Sequence, residues 1–174
     1  MSTLEKYIRE IPDFPKEGII FRDIMPLFGN AEGLKLTTNG VKEKLDGLDF
    51  DLIAGSEARG FLVGAPVAYA MGKGFIAVRK KGKLPHETIS EEYDLEYGTA
   101  TVEIQKDAIK PGQKVVLVDD LLATGGTLNA MVNLVERLGG EIVKIVCLIE
   151  LCGLKGRDKF KDYDVECLLQ YPDA

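Results

Sequence analysis

The chain has 174 residues, 45% of them hydrophobic, and a formal net charge of −6. Its length suits a single domain, residues 1–174, and its composition is that of a globular protein rather than of a disordered or fibrous chain. The acidic balance argues against nucleic acid as a partner, because neutralising phosphates takes clustered Lys and Arg.

Hydrophobic periodicity predicts helices that alternate with strands. In chain order, the first half contains a helical stripe of Leu4, Tyr7, Ile8 and Ile11 ended by Pro12, an irregular segment at 14–25, a helix capped by Asn30 with Leu34, Thr38, Val41 and Leu45 on its buried face, a strand at 52–54, a helix at 61–71 and a strand at 75–78. The second half contains a mobile loop at about 80–104 that includes a possible hairpin from 93, a strand at 114–118, a helix ending at Leu138, and strands at 142–149 and 165–169.

This alternation at βαβ spacing predicts an α/β fold with a mostly parallel central sheet flanked by helices on both faces. Ligands of such sheets gather beyond the carboxyl ends of the strands, so the residues that follow each strand are the candidate site. Four of these groups are chemically distinctive: 55–60, 79–83, 119–127 and 150–152.

The most informative group joins the apolar strand at 114–118 to the next helix. Such a turn points backbone N–H groups at one spot, at the positive end of a helix dipole, which makes an anion site suited to phosphate. Threonine hydroxyls add donors, and glycines let the anion approach the backbone closely. The residues of this turn, called the Thr-Gly loop below, are Ala123, Thr124, Gly125, Gly126 and Thr127.

Two acids, Asp119 and Asp120, precede the Thr-Gly loop, although negative charge is unfavourable beside a phosphate. Carboxylates accept hydrogen bonds from a vicinal diol, or hold Mg²⁺ directly or through water. A phosphate near a diol describes a ribose 5-phosphate, whereas the alternative is that the acids only stabilise a helix N-terminus. The segment lacks the GxxxxGK[ST] and GxGxxG patterns, which argues against a P-loop and a dinucleotide site.

Cationic residues also follow the strands predicted at 52–54 and 75–78. Arg59 can form a forked contact with an anion, although a surface arginine at a helix start is the alternative. Arg79 and Lys83 could bind a second anion, a pyrophosphate, although charged loops are more often simply solvated. His86, the only histidine, is not expected to be catalytic.

The three cysteines, Cys147, Cys152 and Cys167, show neither CxxC nor metal-ligand spacing, which is typical of the reducing cytoplasm. The N-terminus lacks a signal-peptide core. The longest nearly apolar stretch, 61–71, is too short for a bilayer, so no membrane association is expected.

Five separated motifs occur in one order along the chain. They are Phe-Pro…Gly…Phe-Arg-Asp over 14–23, Glu-Ala-Arg-Gly at 57–60, Arg-Lys-Lys-Gly-Lys-Leu-Pro at 79–85, Leu-Glu-Tyr-Gly at 95–98, and the two acids with the Thr-Gly loop. In this order they resemble the adenine phosphoribosyltransferases of the type I phosphoribosyltransferase family, in register from about Tyr7 to Tyr171. Some relatives have Asp-Ser in place of Glu57-Ala58, and some have Arg at position 86.

The resemblance implies a fold and an activity. The fold would be that of the type I phosphoribosyltransferases, with a small hood over the base site made by residues of about 1–25 and the loop of about 80–104. The activity would be purine salvage: adenine and 5-phosphoribosyl 1-pyrophosphate (PRPP) give AMP and pyrophosphate, with Mg²⁺ as cofactor. The protein would be a homodimer.

The resemblance also implies roles for single residues. Adenine would contact Ile20, Phe21 and Arg22, with Leu151 across from Phe21, although core packing is the alternative for Phe21 and Leu151. Glu96, beside Tyr97 on the hood, would manage a purine proton as general base or through a hydrogen bond.

The remaining implied roles concern PRPP. Pyrophosphate would contact Glu57, Ala58, Arg59, Arg79 and Lys83, with Arg59 and Lys83 also catalytic and the 57–58 peptide cis or otherwise strained. The Thr-Gly loop would hold the 5′-phosphate. Asp119 and Asp120 would hold the ribose diol and Mg²⁺.

Two other functions stay open. A xanthine or other purine phosphoribosyltransferase would share the PRPP site, but the Phe-Arg-Asp string argues against it. A non-catalytic regulator that senses PRPP would carry a DNA- or RNA-binding module, and the chain shows neither a helix-turn-helix pattern nor a basic balance.

Overall fold

A computed structural model describes residues 3–94 and 98–172. The strands are β1 (Arg9–Pro12), β2 (Ile20–Asp23), β3 (Leu52–Ser56), β4 (Gly74–Lys80), β5 (Thr88–Asp94), β6 (Thr99–Gln105), β7 (Lys114–Leu122), β8 (Glu141–Leu151) and β9 (Val165–Tyr171). The helices are α1 (Met25–Phe28), α2 (Ala31–Leu45), α3 (Arg59–Met71) and α4 (Gly126–Arg137). Short 3₁₀ turns lie at Glu5–Tyr7, Cys152–Leu154 and Gly156–Phe160.

Seven of these strands form one sheet in the order β5-β6-β4-β3-β7-β8-β9. Strands β4, β3, β7, β8 and β9 run parallel, and the β5–β6 hairpin is antiparallel. The hairpin joins β4 through two residue pairs, Arg79 with Glu103 and Lys80 with Val102. The predicted mostly parallel sheet flanked by helices is therefore confirmed.

Strand β7 lies inside the sheet, between β3 and β8, and is buried on both faces. Val115 and Leu117 pack in the cluster that contains α4, whereas Val116 and Val118 pack in the cluster that contains α2 and α3. Fully burying one such side chain stabilises the fold by about 1.5–3 kcal/mol. A strand buried on both faces reads as a continuous apolar run, which is how this segment was recognisable in the sequence.

The predicted N-terminal helix is wrong. The stripe that begins at Leu4 forms only one 3₁₀ turn, and the chain then pairs as strand β1 with β2 in a separate two-stranded ribbon. The segment at 14–25, predicted to be irregular, contains strand β2. Four apolar residues at helical spacing stabilise a helix only weakly when the segment is too short to propagate one, and here a partner strand is available for pairing.

Other element boundaries differ in smaller ways. The Asn30 side chain caps α2, as predicted, by accepting hydrogen bonds from two backbone N–H groups. The buried face of α2 contains Gly33 and Thr37 rather than Leu34 and Thr38, together with the predicted Val41 and Leu45. Strand β7 extends past Val118 to Leu122, so both acids lie within the strand instead of after it.

The segment at 80–104, predicted to be a mobile loop, is mostly strand in the structure. Its hairpin prediction is confirmed by β5 and β6, whereas its mobility stays a prediction. Glu96 and Tyr97 lie outside the described residues. Within the described part of the chain, none of the helices has the length and apolar character needed to cross a membrane.

Candidate active site

A cavity of about 210 Å³ opens at the carboxyl ends of β3 and β7. Three of the four chemically distinctive groups contribute to its wall. The lining residues are Ser56, Glu57, Ala58, Arg59, Lys80, Tyr93, Val102, Asp119, Asp120, Leu121, Ala123, Thr124, Gly125, Gly126, Thr127 and Leu128. The structure therefore brings together the two acids, Arg59 and the whole Thr-Gly loop, as the sequence predicted.

The Thr-Gly loop forms the N-terminus of α4. Gly125 has a φ of 78°, a left-handed conformation that favours glycine, and its carbonyl accepts the first helical hydrogen bond, from Asn129 N at 2.9 Å. The first turn of α4 contains no acidic residue and no side-chain cap. The first N–H groups of any helix lack intrahelical partners, and the residues that carry them here line the cavity, which suits the binding of an anion.

The two acids are almost fully buried, with Asp119 3% and Asp120 8% exposed. Asp119 Oδ1 accepts hydrogen bonds from Ser56 Oγ at 2.8 Å and from the Asp120 N–H at 2.9 Å. Arg59 Nε lies 2.9 Å from Asp120 Oδ2. Each acid thus has a protein partner and still lines the cavity, where carboxylate oxygens can accept from a diol.

Burial changes the acid–base behaviour of both carboxyl groups. Burial, and then the neighbouring Asp120 charge, raise the pKa of Asp119 well above its usual value. Burial also raises the pKa of Asp120, and the Arg59 guanidinium offsets part of this effect. Donors that reach these carboxylates, such as the hydroxyls of a diol, would favour their charged form.

Glu57 is held by the end of strand β4. Its carboxylate lies 2.6 Å from Arg79 Nε and accepts a hydrogen bond from the Lys80 N–H at 2.9 Å. Burial would raise the pKa of Glu57, but the Lys80 N–H and Arg79 outweigh it and leave that pKa below its ordinary value. The peptide between Glu57 and Ala58 is cis, as the family resemblance implied.

Lys80, which was not singled out from the sequence, lines the cavity in place of two predicted residues. Arg79 contacts Glu57 and donates to the carbonyl of Lys83 at 3.2 Å, and neither Arg79 nor Lys83 is part of the cavity wall. Consecutive residues of a strand point to opposite faces, which is why Lys80 lines the cavity and its neighbour Arg79 does not. The sequence alone could have shown which of the two faces the cavity only if the end of the strand had been located to the residue.

The predicted base-binding residues lie beside the cavity rather than in its wall. Ile20, Phe21 and Arg22 form most of β2, and Leu151 ends β8. The Phe21 ring lies 5.9 Å from Arg59 Cζ and packs edge-on against Phe14. This arrangement links β2 to the arginine that contacts Asp120, so a base at β2 would lie next to a ribose at the acids.

Strand β2 is fastened to the main sheet through Arg22. The guanidinium stacks over the Tyr171 ring at 4.2 Å and pairs with Glu10 of β1. Tyr171 is the register partner of Leu151. The ribbon and the end of β8, both predicted to contact one base, are therefore connected.

Two further polar lining residues, Ser56 and Tyr93, were missed by the sequence analysis. Ser56 holds Asp119, and Tyr93 on β5 lies with its hydroxyl 3.1 Å from Thr127 Oγ1. Ser56 immediately follows the predicted strand and its Gly55, which was a usable signal. Tyr93 lies at the edge of an alternating segment, and nothing in its neighbourhood pointed to a distant Thr-Gly loop.

The donor set is compatible with Mg²⁺ only in part. Across residues 3–94 and 98–172, no group of three or more His, Cys, Asp or Glu side chains is arranged to hold an ion. The cavity wall contains three carboxylates, and that of Glu57 already contacts Arg79 and the Lys80 N–H, which leaves Asp119 and Asp120 as the candidate ligands. Mg²⁺ usually keeps several waters and binds one or two carboxylates together with substrate phosphates, so this pair fits an ion that arrives with a phosphorylated ligand.

Comparison with known proteins agrees with this geometry. Residues 36–172 match the model of the phosphoribosyl transferase domain. The adenine phosphoribosyltransferase of Agathobacter rectalis is 60% identical over 171 residues, 98% of each chain. The crystal structure of the Thermoanaerobacter pseudethanolicus enzyme of that name has a TM-score of 0.93 and 55% identity, covering 97% of this chain and all of the other.

A third relative was solved with ligands bound. The Saccharomyces cerevisiae adenine phosphoribosyltransferase, in complex with an imino-altritol bisphosphate and adenine, has a TM-score of 0.90 and 41% identity, covering 95% of this chain and 96% of the other. The likeness therefore extends over nearly the whole chain, the N-terminal ribbon included.

Proposed function

The chain belongs to the adenine phosphoribosyltransferase family, and from this membership we propose how its site carries out the reaction. The enzyme transfers the 5-phosphoribosyl group of PRPP to adenine and releases pyrophosphate, so that AMP is formed in purine salvage. The observation that carries the assignment of roles is that one cavity contains the Thr-Gly loop, the two acids and Arg59.

The Thr-Gly loop binds the 5′-phosphate in this proposal. Free N–H groups at the start of α4 and the hydroxyls of Thr124 and Thr127 supply the donors. This end of PRPP does not react, so its binding energy serves to fix the position of C1. Asp119 and Asp120 accept hydrogen bonds from the ribose diol, and their charge offsets the cationic character that the ribose develops in the transition state.

Pyrophosphate leaves from the opposite end of the cavity. Arg59 and Lys80 are the cationic side chains of the cavity wall. Arg79 and Lys83, which lie outside that wall, complete the cationic group proposed from the sequence. Mg²⁺ bound to the pyrophosphate would supply further positive charge to the leaving group, and Asp119 and Asp120 would hold it through water or through the diol. The Glu57 carboxylate, by accepting from Arg79, keeps the β4 end and the cis peptide together.

Adenine binds at β2 in this proposal, between Phe21 and Leu151. Glu96 acts on the purine proton, either as general base or through a hydrogen bond, with Tyr97 beside it; these two roles rest on the sequence motif alone. Closure of the hood over the site would exclude water, which matters because hydrolysis of PRPP is the competing reaction.

Cytoplasmic location and a homodimer are parts of the same proposal. The three cysteines are free thiols in the structure, with Cys147 buried, which suits a reducing compartment. Leu62 and Tyr69, seven residues apart and therefore on one face of α3, are exposed on the isolated chain, which is compatible with a partner surface there. Light scattering of the purified protein would give the mass directly.

One assay tests the function. The purified protein is given PRPP and Mg²⁺ with adenine, guanine, hypoxanthine or xanthine in turn, and both nucleotide and pyrophosphate are quantified. AMP and pyrophosphate in equal amounts from adenine are expected. Turnover of xanthine or guanine instead would identify another purine phosphoribosyltransferase, and PRPP binding without any turnover would identify a sensor.

Arg59→Ala should weaken PRPP much more than AMP. PRPP loses a charged contact to pyrophosphate, worth roughly 1.5–3 kcal/mol or about 10- to 150-fold in Kd, whereas AMP lacks that group. The substitution also leaves Asp120 without its partner, but that loss is common to both ligands and cancels in their ratio. Calorimetry with PRPP and AMP measures the two affinities.

Arg137→Ala is the matched control for this experiment. Arg137 lies at the C-terminal end of α4, away from the Thr-Gly loop. It pairs with Glu91 at 2.9 Å, the same separation as between Arg59 and Asp120. It should change neither affinity. Equal losses of PRPP and AMP affinity in Arg59→Ala would contradict a pyrophosphate role for Arg59.

A further inference from the structure

The segment at 152–160, called the back segment below, lies directly behind the Thr-Gly loop. A Cβ built on Gly125 would lie 2.9 Å from the carbonyl oxygen of Gly156 and 3.0 Å from the ring of Phe160. A Cβ built on Gly156 would in turn lie 2.9 Å from the backbone nitrogen of Gly125. The two backbones are in contact with no side chain between them, so a shift of the back segment must shift Gly125.

Arg157 ties the back segment to the sheet. Its Nε lies 2.8 Å from Glu150 Oε1, its Nη2 contacts Glu150 Oε2, and its Nη1 donates to the carbonyl of Val165 at 2.6 Å. Glu150 is only 4% exposed and also accepts from Gln170. A forked arginine–carboxylate pair with a third contact restricts the side chain to one geometry, which Lys cannot reproduce.

The position of Glu150 connects this tie to the other half of the site. It is the residue before Leu151, which the family resemblance assigns to the adenine pocket, and both lie at the end of β8. The Arg157–Glu150 pair therefore joins the strand end proposed to contact the base to the segment that supports the loop proposed to bind phosphate. None of the reaction's proposed steps uses either residue.

We propose that Arg157 is a positioning residue for the 5′-phosphate site: through its pair with Glu150 it holds the back segment against Gly125, and so sets where the Thr-Gly loop N–H groups point relative to the base. This rests on the proposed binding of the 5′-phosphate by the Thr-Gly loop. Arg157 itself is not part of the cavity wall. Loss of the Arg157 side chain should therefore weaken the binding of ligands that carry a 5′-phosphate and leave the binding of pyrophosphate unchanged.

The test compares Arg157→Met, Arg157→Lys and Lys144→Met in the full-length protein. Lys144 is the matched control, because it lies on β8 as Glu150 does, and its side chain is only 10% exposed. It forms ion pairs with Asp164 and with Glu166 of β9, both outside the back segment. Calorimetry gives Kd for AMP and for inorganic pyrophosphate with Mg²⁺. Thermal unfolding gives Tm for each variant.

Arg157→Met should raise the Kd for AMP by roughly 10- to 100-fold, since misplacing positioning groups by about 1 Å has effects of this size. Its Kd for pyrophosphate should stay within about twofold of wild type, and Arg157→Lys should restore only part of the AMP affinity. Lys144→Met should lower Tm while leaving both affinities unchanged. An unchanged AMP affinity in Arg157→Met, or equal losses of AMP and pyrophosphate, would overturn the proposal.

If Arg157→Met fails to fold because Glu150 is left buried and unpaired, Arg157→Met with Glu150→Gln removes that charge and serves as the second variant. Weak AMP binding by this double variant supports positioning, whereas wild-type AMP binding refutes it. The wild-type protein tests the phosphate site independently of Arg157. If it binds AMP no more tightly than adenosine, the proposed phosphate role of the Thr-Gly loop is wrong. If it prefers AMP and Arg157→Met keeps that preference, only the Arg157 proposal fails.

Discussion

Hypoxanthine and guanine should be used roughly 10²- to 10⁴-fold less efficiently than adenine, measured as kcat/KM, because both present mismatched groups to a backbone edge. Adenine donates from its 6-amino group and accepts at N1, whereas a 6-oxopurine accepts at position 6 and donates at N1. Each buried unpaired group costs about 1–3 kcal/mol, and two mismatches give the stated range.

The structure supplies the edge that would read the base. Within the described residues, β2 pairs only with β1, so one side of β2 has no neighbouring strand. Ile20 is opposite Pro12, which has no N–H, and this favours a pair without mutual hydrogen bonds. Such pairs alternate along an antiparallel ribbon, which indicates that the N–H and C=O groups of Ile20 and Arg22 point to the free side.

Ile20→Val tests whether backbone or side chain makes the choice. Ile20 is 49% exposed, so a smaller apolar side chain should leave the ribbon intact. We expect the adenine KM to change more than the ratio of adenine to hypoxanthine turnover. Steady-state rates with the purified protein measure both, and comparable turnover of hypoxanthine by wild type would refute the adenine pocket at β2.

Gly125→Val should strongly weaken the binding of both PRPP and AMP. A β-branched residue at a φ of 78° is strained by about 1–3 kcal/mol, and its Cβ would meet Gly156 and Phe160, so the loop must move. Losing two or more charged hydrogen bonds to the 5′-phosphate, each worth roughly 1.5–3 kcal/mol, weakens both ligands by about 10²- to 10⁴-fold. Calorimetry with each ligand checks this.

Gly112→Val separates backbone strain from damage to the site. Gly112 has a φ of 84°, close to that of Gly125, but a Cβ there would have no neighbour within 4 Å. It should show a similar loss of stability and normal ligand affinity. Unchanged PRPP affinity in a folded Gly125→Val variant would show that the 5′-phosphate binds elsewhere.

The parts of the site that could be predicted from the sequence are those contained in one continuous stretch. The Thr-Gly loop needs only its own backbone and the helix that follows, so Gly125 and Gly126 were informative without any tertiary contact. Asp119 and Asp120 were identified for the same reason. Their placement inside β7 was not, because an apolar pattern ends at the first charged residue even when the strand continues.

The parts that could not be predicted depend on contacts between distant segments. Tyr93 meets Thr127 across 34 residues, and Gly156 meets Gly125 from beyond β8, and neither contact leaves a local pattern. The same cause explains the N-terminal error. The stripe from Leu4 to Ile11 has helical spacing, but pairing of Ile11 with Phe21 decides its conformation.

A molecule of PRPP has phosphate at both of its ends, so the cavity must also select the direction in which it enters. The five residues of the Thr-Gly loop carry no charged side chain, whereas Arg59 and Lys80, elsewhere in the same cavity wall, are cationic. The more highly charged pyrophosphate is therefore favoured at the cationic end and the monophosphate at the neutral end. A PRPP molecule bound in the reverse direction would have less favourable electrostatic interactions at both of its phosphate groups. Its reactive C1 would also lie away from β2. The uneven distribution of charge in the cavity wall thus sets the direction in which PRPP binds before any bond is broken.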